Sequence, residues 1–177
     1  GQGYPRAASL VAAMVADGHF VTHYPLQFPS ERAEDVAKAL PETVEVMLDM
    51  GLGRLAEFMA ARRGCYDVVL VSRPHNMDVV RSLLKQNAGA WVGVRIAYDA
   101  EALFSLRDIA KAAVLGAPMP PNEQRRRIAA EMALAEGAHA IVTVTEAEAA
   151  HYRAAGHADV QVVGHTIEPR PSPRGTG

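Results

Sequence analysis

Asp99 and Glu101 stand two residues apart at the end of an apolar run, with Arg107 further along. Carboxylates placed this way can orient a hydroxyl or stabilise a developing positive charge. The same residues also suit a helix start, with Asp99 as cap and Glu101 as a favourable first-turn charge. A second cluster, Ser72-Arg73-Pro74-His75-Asn76, follows the most apolar run of the chain. Its polar groups suit sugar hydroxyls or a phosphate. Ser72 or Asn76 alone would serve a helix entry, and Arg73 and His75 exceed what capping needs. A third cluster, Gly1-Gln2-Gly3-Tyr4-Pro5-Arg6, opens a helix. Glycines there allow close backbone approach, and free amides at a helix start attract anions. A tight turn with Pro at a first-turn position explains the same residues.

Other groups carry less. The Gly1–Gly3 turn lacks the third glycine of a dinucleotide fingerprint, so nicotinamide or flavin binding has little support. His19, His23 and His139 read as structural or surface residues, and no pair has metal-ligand spacing, so no metal site is expected. Arg125-Arg126-Arg127 spans too many faces of a helix to form one patch. It reads as solvated surface, with a weak anionic-lipid contact left open. Cys65, just before a strand, reads as a small buried residue and not as a nucleophile.

The elements that must position these clusters follow from periodicity. Leu10, Val11, Met14 and Val15 share one helical face, and Asp17-Gly18 ends that helix. Phe20–Tyr24 reads as a strand, Arg32–Leu40 as a helix halted by Pro41, and Val44–Leu48 as a strand. Leu55, Phe58 and Met59 face one way on the next helix. Asp67–Val71 is apolar enough for a strand covered on both faces. Met77–Leu84 is helical, Val92–Ala97 strand-like and Ala102–Ala113 helical. After a Gly/Pro break from Gly116 to Pro121 comes a long helix, about Asn122–Glu136. Strand Ala140–Val144 leads to Thr145-Glu146-Ala147-Glu148, which has capping-box spacing. Strand Val160–Val163 precedes a Pro-, Gly- and Arg-rich tail.

Strands alternating with helices predict an α/β fold, a Rossmann-like, doubly wound parallel sheet with helices on both faces. Residues 1–169 would form this domain, and 170–177 a linker or tail. Such sheets begin with a central strand, yet here the chain opens at the turn, so the first central strand is expected to be missing. In this architecture ligands bind at the carboxyl ends of strands, where the Ser72 and Asp99 clusters fall.

Composition narrows the function classes. A formal net charge of -2, with 18 basic against 20 acidic side chains, argues against nucleic-acid binding. The single cysteine cannot form an internal disulfide, which makes the cytoplasm the default compartment. No apolar run approaches the roughly 18–20 residues of a membrane span.

The order of Gly-Tyr-Pro-Arg before a helix, Asp17-Gly18-His19 before a strand and Tyr98–Arg107 (YDAEALFSLR) after one resembles group 1 (family 4-like) glycosyltransferases of GT-B architecture. Thr143–Glu148 is similar to their valine-serine-glutamate-alanine junction, which brings in Glu146. Val162-Val163-Gly164-His165 departs from their usual proline-asparagine-glycine turn. The resemblance spans Gly3 to Pro169. It implies an acceptor-side domain, incomplete without a C-terminal domain that binds most of the donor nucleotide sugar, and no cofactor or metal. It places the Gly1–Gly3 loop, Tyr4 and Arg6 against donor or acceptor, and Asp99 or Glu101 toward the transferred sugar. Ser72, Arg73, His75, Asn76, Arg107 and Glu146 complete the expected site. The partners are then the donor-binding domain and a hydroxyl acceptor.

Two other readings compete. A receiver-like or other Rossmann-type interaction domain would fit Tyr66–Val71, but Ser72 stands where a phospho-acceptor aspartate is needed. A small dehydrogenase domain would need an acidic residue ending the second strand, where Tyr24-Pro25 stands.

Overall fold

The computed structural model describes residues 5–27 and 32–165. The Gly1, Gly3 and Tyr4 expectations therefore lie outside the described residues. The chain divides into two compact units: residues up to Gly51 with the segment after Gly164, and Leu52–Gly164.

In the first unit, α1 (Pro5–Ala16) ends at Gly18, whose φ of 86° suits a residue without Cβ. Two amides close that end, Gly18 N–H on Val15 O and His19 N–H on Met14 O. Strand β1 (Thr22–His23) pairs in parallel with β2 (Glu45–Val46), with α2 (Ala33–Ala39) between them in sequence. Both strands are shorter than their apolar runs. Thr22 Oγ1 donates to Glu45 Oε2 at 2.8 Å, and Tyr24 OH donates to Gly51 O at 2.7 Å.

The second unit holds α3 (Gly51–Ala61, starting at the unit boundary), β3 (Val68–Ser72), α4 (Pro74–Gln86), β4 (Arg95–Glu101), α5 (Phe104–Val114), α6 (Pro121–Met132), β5 (Ala140–Thr143), α7 (Glu146–Ala154) and β6 (Val160–Val162). Short 3-10 turns at Ala88–Trp91 and Ala133–Ala135 follow α4 and α6. The four strands form one parallel sheet in the order β3-β4-β5-β6, so the fold is α/β and Rossmann-like. β1-β2 is a separate two-stranded sheet.

Every connection in the larger sheet steps the same way. Helix α4 packs on β3, and α7 packs on β5 and β6. Register puts Val71, Tyr98, Ile141 and Val160 in one row, and all are buried. Enclosing each large side chain in that layer stabilises by about 1.5–3 kcal/mol. Tyr98 and Tyr152 are fully enclosed there, and burial, joined by the Glu131 carboxylate, pushes both phenols well above the ordinary tyrosine range.

The apolar pattern of β3 predicts cover on both faces, and here the structure differs. Val68 is 54% and Leu70 36% exposed, because β3 is the sheet edge and these side chains alternate to the face opposite Val71. Cys65 also departs from expectation. It is exposed, sitting in the turn after α3, where its amide donates to Arg62 O and Gly64 takes φ 78°.

Candidate site at the carboxyl ends of the central strands

Parallel register sets Ser72, the last residue of β3, beside Asp99 of β4. Ser72 Oγ donates to Asp99 Oδ2 at 2.7 Å, and Asp99 is completely enclosed. Neither residue caps a helix. Asp99 lies inside the strand, which runs to Glu101 and not merely to Ala97. Asn76 Nδ2 donates to Ser72 O at 2.8 Å, fixing the turn from β3 into α4.

One residue beyond, Arg73 Nε meets Glu101 Oε2 at 3.3 Å, the two side chains 21% and 19% exposed. Both residues have left-handed backbone, with φ 79° and ψ 149° at Arg73 and φ 56° at Glu101. The Arg73 conformation is close to a region used almost only by glycine and costs about 1–3 kcal/mol in a residue with a Cβ. Opposite β5, the register shifts between Asp99 and Glu101, so Ala100 and Glu101 face the single step from Val142 to Thr143. Such a bulge re-aims the side chain that follows it. Strain and bulge together turn a cation and a carboxylate toward each other on neighbouring strands.

The helix starts above these strands differ. At α5, Glu131 accepts from Phe104 N (2.8 Å) and Ser105 N (2.7 Å), and Glu148 Oε1 accepts from Leu103 N (3.1 Å). At α7, Thr145 Oγ1 accepts from Glu148 N and donates to Glu148 Oε2. Those starts are filled by the protein's own oxygens. At α4, Pro74 has no N–H, and the amides of His75 and Asn76 have no acceptor among the described residues. Among the described residues the α4 start is thus open beside Arg73, and free amides at the positive end of a helix attract anionic or hydroxyl oxygen.

The structure brings together Ser72, Arg73, Asn76, Asp99 and Glu101, with exposed His75 on the first turn of α4. Other expected residues have different surroundings. Arg107 is exposed on the first turn of α5, with its guanidinium over the Phe104 ring at 5.6 Å. Glu146, 72% exposed at the start of α7, is ion-paired with Arg153. Arg6 is buried on α1 of the first unit. Sequence reasoning did not foresee the Glu131 and Glu148 caps. The pairing of Arg73 with Glu101 was accessible in principle, since Arg73 directly follows β3 and Glu101 ends β4, two consecutive parallel strands.

Among the described residues, no group of three or more His, Cys, Asp or Glu residues could hold a metal ion. No helix there is long and apolar enough to cross a membrane. A hollow of about 270 Å³ in the first unit is lined by apolar residues between Val36 of α2 and Leu48 just after β2, with Glu42 the one charged group. It offers little to a polar ligand. Comparison with family models, curated proteins and solved structures finds no match to the chain.

Proposed function

We propose that this chain is the acceptor-side half of a nucleotide-sugar-dependent glycosyltransferase, working in the cytoplasm. Its acceptor would sit at the carboxyl ends of β3 and β4. The observation that carries the reading is the Arg73–Glu101 pair, two strained residues facing each other beside an open helix start. Backbone strain of this kind persists where the surrounding structure over-determines it, and it gathers at ligand sites.

The roles follow from burial. Glu101, the carboxylate that solvent reaches, accepts a hydrogen bond from an acceptor hydroxyl. Arg73 and the amides of His75 and Asn76 donate to neighbouring hydroxyl oxygens. Asp99 is a positioning residue: enclosed, it fixes the Ser72 hydroxyl and the end of β3. The resemblance of Tyr98–Arg107 to group 1 glycosyltransferases supplies the reaction class. By that resemblance, the donor nucleotide sugar and the stabilisation of its departing diphosphate belong mainly to a C-terminal domain of the same protein. Oriented positive charge where negative charge develops is a large catalytic contribution.

Calorimetric titration of the chain with UDP- and GDP-sugars and with a panel of mono- and disaccharides tests this, alongside a sugar-nucleotide turnover assay. Saccharide binding that Arg73→Ala and Glu101→Gln abolish, with weak nucleotide-sugar binding and no turnover by the chain alone, is the expected outcome. Tight nucleotide-sugar binding untouched by both substitutions contradicts it.

A further inference from the structure

Helices α5 and α6 pack against each other as a hairpin that stands away from the core. Ser105 is the one buried residue of α5, and α6 has none. The hairpin tip, Val114–Pro121, reads VLGAPMPP and carries no charge. Val114 is 86% and Leu115 71% exposed, and Ala117, Pro118, Pro120 and Pro121 are exposed beside them. Large apolar side chains exposed this fully, in a row, call for a partner.

The charges flanking the tip narrow what that partner is. From Lys111 to Arg127 there are four basic side chains and one carboxylate, in a chain whose net charge is -2. Lys111 lies one turn before the tip, and Arg125, Arg126 and Arg127 lie within two turns after it. Arg126 and Arg127 share Glu123, at 2.7 and 2.8 Å, and Arg127 also approaches Asp108 at 3.9 Å. The three arginines fan over different sides of α6. A fan makes a poor site for one ligand, but a layer of negative charge meets every side of it. The tip's eight residues are also few for a protein interface, which takes about 20–30 a side. Three of the eight are prolines, which lack the N–H that resists transfer out of water.

We infer that the α5–α6 hairpin docks on an anionic lipid bilayer, with Val114, Leu115 and Met119 entering the headgroup boundary and the flanking basic residues resting on acidic headgroups. Apolar insertion and a basic cluster are each weak alone, and together they give a stable yet reversible attachment. The sequence alone treats the arginine triplet as solvated surface. What changes the reading is the exposed apolar tip they surround.

Vesicle co-sedimentation of the whole chain tests this, with phosphatidylcholine alone or with roughly one third phosphatidylglycerol. The chain is expected to sediment with the acidic vesicles only, and to be released as salt rises from about 0.1 to about 0.5 M. Val114→Ser with Leu115→Ser should abolish binding while melting with the wild type, since both positions are exposed. Each of Arg125→Gln and Arg126→Gln should weaken it by roughly fivefold. Equal binding to neutral vesicles, no binding to acidic ones, or binding indifferent to the serine pair overturns the inference. So does self-association that the serine pair removes, which would assign the tip to a protein contact.

Discussion

Replacing Arg73 by glycine and, separately, by alanine isolates the strain on which the site rests. Both substitutions remove the Arg73–Glu101 ion pair, so its contribution cancels in the comparison. The backbone at φ 79°, ψ 149° remains for both. Alanine keeps a Cβ and with it a penalty of about 1–3 kcal/mol. Glycine escapes that penalty and instead gives up about 0.5–1 kcal/mol of extra chain entropy on folding. The glycine variant should therefore be the more stable by about 1 kcal/mol, at most about 2.5 kcal/mol, the reverse of their order at an ordinary position. Urea unfolding with matched m-values reads the difference directly. An alanine variant as stable as the glycine variant, or more so, refutes the claim that this turn is held under strain. Neither variant should bind saccharide, because the guanidinium is gone from both.

Other consequences concern the scaffold. Burial, together with Glu131, raises the folded-state pKa of Tyr98 and Tyr152. Their stabilising contribution is then whole below the unfolded value near 10 and is lost as pH rises past it, by up to about 2.7 kcal/mol per pH unit for the pair. Denaturant melts from pH 9 to 11 should show this loss in the wild type and not in Tyr98→Phe/Tyr152→Phe; parallel curves would contradict it. Glu131→Ala strips the acceptors from two amides of α5 and should cost about 1–2 kcal/mol, measured by the same unfolding. Val68→Lys and Leu70→Lys should each change stability by no more than about 0.5 kcal/mol if that face of β3 meets water in the working protein. A cost of several times that would show the face to be covered.

The alternation of elements was legible because apolar runs such as Val68–Val71 and Ala140–Thr143 carry their own period, and because Asp17-Gly18 and Pro41 stop helices by simple chemistry. Thr145 was readable as a cap for the same local reason. The Ser72 and Asp99 clusters were readable as neighbours in kind, both ending strands. Their geometry was not. Arg73 and Glu101 take left-handed backbone that their residue types disfavour, so local propensity points away from it. The bulge at Ala100 depends on the register of β5, which is a tertiary fact. The contact of Arg107 with the Phe104 ring was not legible, because it depends on the turn of α5. The exposure of Val68, Leu70 and Cys65 was invisible because composition reports what a segment can bury, not what stands beside it.

The most direct measurement is amide shift mapping of the isotopically labelled chain during titration with saccharides and, separately, nucleotide sugars. The proposed function predicts saccharide-dependent shifts centred on Ser72, Arg73, His75, Asn76 and Glu101, absent in Glu101→Gln, with little response to nucleotide sugars. Shifts centred elsewhere, or a tight nucleotide-sugar response that Glu101→Gln leaves intact, would contradict it.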